Sequence, residues 1–212
     1  MDPSVKTRRY DSPARREQAE RTRRAVVRAA RTHFTRHGYA AQVSAIASSA
    51  KVSVDTVYTS VGRKPELMLA VIDSVLGNAD DPVPALQRDY VQAFRAAPTA
   101  HQKLALYAEA MGRLMPQIAP LQAALAEASR SDPECARVWQ HLKDRRADNM
   151  RMLAADLRTT GSLRGDLTDD EVADLVWVGN SLEYYTLLTE RGWDAEQYAA
   201  HLLDLWARLL LE

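Results

Sequence analysis

The chain has 212 residues, 46% apolar and 26% charged, an ordinary composition for a globular protein with one large or two small cores. Its formal net charge of zero hides a segregation: residues 1–64 hold fourteen Lys and Arg against five Asp and Glu, whereas residues 65–212 hold fourteen against twenty-three. The single cysteine, Cys135, excludes an internal disulfide framework and a cysteine-rich zinc site; no apolar run reaches the roughly 18–20 residues of a membrane span, so no membrane association and a cytoplasmic location are expected.

Residues 1–12, with Lys6, Arg8 and Arg9 and little to bury, read as a mobile basic tail. A helix is predicted from Pro13 to His37. Val26, Val27, Ala30 and Phe34 form its apolar stripe, arginines cover most of the rest, and Gly38 closes it. His33 and His37 stand one turn apart, as metal ligands can. No third ligand lies at a motif position and arginines surround them, so they read as surface histidines and no metal is expected.

Residues 43–64 read as two short helices joined by a tight turn, with Ile46, Ala47, Ala50, Val52, Val57 and Val61 as the buried positions. Ser53 stands where the second helix needs an N-cap and can accept the backbone N–H of Thr56. With Val57 facing inward, a turn of about 100° per residue puts Asp55 and Thr59 on the opposite side, flanked by Thr56 and Tyr58. Such a short polar face suits the major groove of DNA, although the same residues would also serve an ordinary helical hairpin in an all-α core. The segregation of charge, a basic first third on an acidic remainder, favours nucleic acid.

Phe34, His37-Gly38-Tyr39, Ile46-Ala47, Val52-Ser53, Thr56-Val57-Tyr58, Gly62, Lys64 and Leu67 together resemble the signature of the TetR family of bacterial transcriptional regulators. The resemblance covers about the first third of the chain. It implies an all-α fold: an N-terminal helix-turn-helix, three-helix DNA-binding domain over 13–63, and a larger helical ligand-binding and dimerisation domain over 64–212. It further implies that Ser53, Asp55, Thr56, Tyr58, Thr59 and Lys64 face double-stranded DNA, with Thr56, Tyr58 and Lys64 on phosphates. Three positions depart from the pattern. Gln42 replaces the usual Thr cap in a link one residue short, Lys51 takes the turn position that is usually Gly, and Val61 replaces an aromatic residue.

The next helix starts at Lys64-Pro65-Glu66 and runs to Leu76. In the family it is the lever between the DNA-binding unit and the body. Proline and glycine then divide the body into six predicted helices, over 85–96, 99–115, 117–130, 133–160, 169–190 and 194–211. Thr99 and Asp132 are candidate caps, and Thr168 with Glu171 and Asp194 with Gln197 are candidate capping boxes. The last two helices carry apolar residues nearly all round, so Val172, Val176, Leu182, Tyr185, Leu202, Leu205, Trp206 and Leu209 are expected at the contact of a homodimer, with a deeply buried pair in a monomer as the alternative.

Tyr107, Met111, Trp139, Arg146, Asn149 and Trp177 are the candidate ligand-binding residues, polar groups set among aromatic and flexible apolar ones, although such residues at helical spacing also build plain core. No catalytic residue and no cofactor is expected: His101, His141 and His201 lack partners at motif spacing, and no Gly-rich phosphate loop is present. The function expected is a ligand-responsive, sequence-specific DNA-binding regulator, a repressor released from a near-palindromic operator by a small-molecule effector. The competing expectations are an all-α interaction protein that binds nucleic acid without sequence choice or docks an acidic partner, and an apolar-ligand carrier.

Overall fold

The structure, a computed structural model, describes residues 13–80 and 83–212; the basic tail expected over 1–12 lies outside the described residues. Ten helices and no strand occur among them. They are α1 (Pro13–His37), α2 (Val43–Ala50), α3 (Val54–Ser60), α4 (Lys64–Leu76), α5 (Asp89–Ala96), α6 (Ala100–Ala128), α7 (Pro133–Arg158), α8 (Asp169–Gly179), α9 (Leu182–Glu190) and α10 (Ala195–Leu210). Among the described residues, no helix is long and apolar enough to cross a membrane.

The first three helices fold around Val26, Val27, Ala30, Phe34, Ile46, Ala47 and Val57, all buried. Helix α1 is the back wall, and Arg23 Nη1 fastens it to the end of α3 by donating to the Ser60 carbonyl at 2.8 Å. Gly38 ends α1 at φ +53, the left-handed backbone that glycine reaches without strain. Lys51 must also turn left-handed, at φ 58, to join α2 to α3. A side chain there costs about 1 kcal/mol, and the apolar contacts of the three helices hold it. Gln42 gives α2 no side-chain cap.

In the body α6 is the spine, packed against α4, α5, α7 and α10. Two predicted helices, 99–115 and 117–130, are one: α6 continues through Pro116 and Pro120. Both prolines lie on the exposed face while Leu114, Met115, Ile118, Ala119, Leu121, Gln122 and Leu125 are buried, so packing overrides the local penalty of a missing N–H. Gly112 lets α10 approach closely, since a Cβ there would lie 2.7 Å from the Ala199 Cβ.

The opposite correction applies to 169–190, which is two helices. Asn180 and Ser181 interrupt it, and the Ser181 hydroxyl caps α9 by accepting Tyr184 N–H at 3.1 Å. The segment 85–96 shortens to α5 after a single 3-10 turn at Ala85–Gln87. The caps stand as expected: Thr99 and Asp132 accept backbone N–H groups, and both capping boxes close.

Five of the residues expected at a dimer contact belong to the core of their own chain. Val172, Val176, Leu202 and Trp206 are fully buried and Leu182 nearly so, because α8 and α10 turn their wider apolar faces onto α6 and α7. Of the residues expected there, Tyr185, Leu205 and Leu209 are only half-buried. The exposed apolar side chains in this region are Val178 and Leu187, 52% and 63% accessible.

Candidate functional site

Helix α3 presents the polar face its sequence promised. The Ser53 hydroxyl accepts Thr56 N–H at 3.1 Å and shares a 2.8 Å hydrogen bond with the Thr56 hydroxyl, so capping fixes both side chains at the start of the helix. The Thr59 hydroxyl donates back to the Asp55 carbonyl at 2.9 Å, leaving its lone pairs and methyl group outward. Asp55 and Thr59 are exposed, and Tyr58 is 44% accessible.

Lys64, at the start of α4, is half-buried with its ammonium 4.4 Å from the centre of the Tyr39 ring. Burial pulls its pKa down from the usual lysine value and pushes the Tyr39 phenol up. The aromatic ring therefore aims the cation. Ser53, Asp55, Thr56, Tyr58 and Thr59 all lie on or beside α3 and Lys64 flanks it, so the structure brings these six expected DNA-facing residues to one side of the unit. His33 Nε2 and the Ser49 hydroxyl are hydrogen-bonded at 2.8 Å, which leaves that histidine serving the α1–α2 contact.

Helix α4 leads from this surface into the body and is held to α7 at two places. Glu66 pairs with Arg137 near its start. Two turns later the buried Asp73 carboxylate receives both Arg145 Nη1 and Nη2, at 2.9 and 2.5 Å, with Arg88 Nη2 at 3.7 Å. The fork of Arg145 matches a carboxylate in two parallel bonds. Nothing in the sequence pattern singled out Asp73; its buried position on an apolar helix was the available signal, since a buried acid must find a cation.

Beside this cluster lies a partly open cavity of about 90 Å³. Four of the six expected ligand-binding residues line it: Tyr107, Met111, Arg146 and Asn149. Trp139 and Trp177 do not. Trp139 is packed at the edge of the core, and Trp177 lies under the Arg146 guanidinium, 5.3 Å from its ring centre, which makes it a support for the wall. The sequence reading missed Arg88, Arg145, Met150 and Asn180, which also face the cavity. Asn180 Nδ2 donates to the Tyr107 hydroxyl at 2.7 Å, and Arg146 Nη2 donates to the carbonyls of Trp177 and Asn180, both at 3.1 Å, and to Asn180 Oδ1 at 2.5 Å. Asn180, one of the two residues that break α8 from α9, thus finishes the polar end of the cavity.

No protein-family model matches the chain, and no curated relative matches it. Solved structures do. A proposed transcriptional regulator from Saccharomonospora viridis, in complex with choline, superimposes with a TM-score of 0.67 at 18% identity, over 91% of this chain and 99% of that one. The transcriptional regulator FadR from Bacillus subtilis, in complex with stearoyl-CoA, gives 0.63 at 17% identity, over 86% and 96%. A TetR transcriptional regulator from Chloroflexus aurantiacus gives 0.63 at 18% identity, over 92% and 98%. The chain has the fold of TetR-family regulators over nearly its whole length.

Proposed function

We propose that a protein with this fold, this polar α3 face and this cavity is a homodimeric transcriptional regulator of the TetR type, released from a near-palindromic operator by a small organic effector. The observation that carries the reading is the juxtaposition along α4. Its first residue, Lys64, belongs to the DNA-facing surface, and its Asp73 is held by two arginines that line the cavity. A ligand that binds one position of α4 better than another changes DNA affinity by that difference, and DNA changes ligand affinity equally. The similar structures in complex with choline and stearoyl-CoA support a ligand-responsive protein. On this reading residues 13–63 form the DNA-binding domain and 64–212 the ligand-binding and dimerisation domain.

Selection of the purified protein against a random duplex library at near-physiological salt should enrich an inverted repeat whose half-sites lie about 34–36 Å apart. Against that operator, Lys64→Ala and Tyr58→Phe should weaken binding at all sequences, with the salt slope falling by about 1 for the lysine, whereas Asp55 or Thr59 changes should alter base preference. Unchanged affinity and unchanged salt slope in Lys64→Ala would sink the docking. Retention without any preferred sequence would instead favour an interaction protein whose basic surface binds phosphates indiscriminately.

The second copy is proposed to sit on the outer faces of α9 and α10, where Leu187, Tyr185, Leu205 and Leu209 supply the apolar surface. Leu187→Glu is therefore expected to shift sedimentation from dimer to monomer at micromolar concentration while leaving the helical circular dichroism intact. A dimer that persists at the wild-type concentration range moves the interface elsewhere.

A further inference from the structure

The polar end of the cavity has a cation with no carboxylate at ion-pair distance. Arg88 and Arg145 share Asp73, and Asp156, on the rim, is paired with Arg95 at 3.3 Å. Among the described residues Arg146 has no carboxylate within 4.0 Å, and the charge of Glu183 reaches it only from farther away. Its three hydrogen bonds all leave from Nη2 and end on neutral oxygens, those of Trp177 and Asn180, while Nε and Nη1 make none. Burial lowers its pKa from the ordinary guanidinium value. Neither Nε nor Nη1 is buried without a partner, so both stay open to an acceptor that enters the cavity, and an anion there gains more from a half-buried cation than it would at the surface.

The neighbouring phenol is similarly under-used. Tyr107 is buried and accepts a hydrogen bond from Asn180, but its own proton is directed at the Met150 sulfur, 3.6 Å away, a weak acceptor. Burial raises its pKa, so it remains a donor. Away from this end the walls are mostly apolar, formed by Phe94, Met111, Met115, Ile118 and Leu153 with Gln122 among them. Methionine has three rotatable bonds and can move aside for varied shapes, which a cavity of about 90 Å³ needs if it is to accept more than a few heavy atoms.

We propose that the cavity binds an apolar organic monocarboxylate, its carboxylate on an unused N–H group of Arg146 and the Tyr107 hydroxyl and its hydrocarbon body among the methionines. The carboxylate brings an anion within ion-pair reach, one oxygen accepting from Nη1 or Nε of Arg146, which the Nη2 contacts leave unused, and the other from the Tyr107 hydroxyl. Arg88 and Arg145, facing the same space and sharing one acid, add to the positive potential that draws an anion in. A neutral ligand of the same shape would fill the apolar part and leave Arg146 as it is. The inference rests on the proposed reading of the cavity as the effector site and supplies that effector's chemical class.

The test uses the full-length protein without DNA, so that absence of an operator cannot obscure it. Isothermal titration is run with straight-chain acids from butanoate to dodecanoate and with benzoate and phenylacetate, each beside its alcohol or primary amide, and with inorganic phosphate alone. At least one acid is expected to bind ten times or more tighter than its neutral counterpart, and phosphate alone to bind far more weakly. Arg146→Met should erase the difference between acid and alcohol while retaining the alcohol's affinity, and Tyr107→Phe should reduce the acid's affinity several-fold. Equal binding of acid and alcohol to the wild-type protein, binding of no acid in the series, or phosphate binding as tightly as the acids would each overturn the proposal. The wild-type comparison stands even if Arg146→Met fails to fold. Acid binding that leaves DNA affinity unchanged would count against the regulator reading and leave this one intact.

Discussion

Asp73→Ala is expected to cost about 3–5 kcal/mol of stability, the largest effect of any exchange outside the apolar core. The carboxylate is buried and takes both ends of the Arg145 fork, with Arg88 beside it. Removing it leaves two guanidinium groups facing each other, that of Arg88 almost fully buried, so the loss is that of stranded charge and exceeds the net value of the pairs. For a protein of this length it corresponds to a fall in Tm of roughly 10 °C, read by circular dichroism at 222 nm. Salt should restore little, because the groups are screened poorly inside the protein. Exchanging all three charged residues for apolar ones of similar volume should recover much of the stability. A loss below about 1 kcal/mol for Asp73→Ala would show that the cluster is solvated in solution and would remove α4's buried anchor.

Trp206→Ala should be comparably severe, at about 3–5 kcal/mol. The indole is fully buried, lies 5.7 Å from the Tyr107 ring centre, and packs so tightly on α8 that a Cβ at Gly179 would come within 2.8 Å of its Nε1. Its removal opens a void directly behind the cavity wall. Nε1 has no hydrogen-bond partner, so the N–H contributes no bond to lose. Trp206→Phe should therefore cost much less than Trp206→Ala, and urea unfolding should show the two separated in midpoint at similar m-values. Near-equal midpoints would mean that the site collapses around the smaller side chain. Ligand affinity should fall with the alanine variant as well, since Tyr107 loses the surface that holds its ring.

Much of this architecture was legible because it rests on short-range rules. The bounds of α1 and α4, the Ser53 cap, and the boxes at Thr168 and Asp194 each depend on residues within a turn of one another, and the sequence displays them directly. So did the polar face of α3, which follows from helical phase once Val57 is placed inside. Long-range packing was hidden. Nothing near Pro116 or Pro120 announces that buried neighbours on either side will carry α6 through them. Asn180 breaks the helix between α8 and α9 in company with Arg146 and Tyr107, residues that are 34 and 73 positions away. The surplus of apolar residues on α8 and α10 pointed to a partner, and for Val172, Val176, Leu202 and Trp206 that partner is the body of the same chain. The cavity was half legible: Tyr107, Met111, Arg146 and Asn149 stand out as polar or pliable groups on apolar stripes, whereas Trp139 and Trp177 share that appearance and serve as support.

On the proposed reading, the two attachments between α4 and α7 also set which motions reach the surface formed by α3 and Lys64. The inner one, Asp73 with Arg145, is buried and strong; the outer one, Glu66 with Arg137, is at the surface, with Arg137 66% accessible, and is cheap to open. Opening the inner pair alone would make the outer one the pivot and leave Lys64 almost still. Opening the outer pair makes Asp73 the fulcrum instead. Lys64 lies nine residues away, about 13 Å at the helical rise, so a swing of about 10° carries it and the adjoining α3 roughly 2 Å. On the proposed reading the weak attachment would serve as the release catch, and the strong one as the bearing on which the arm turns.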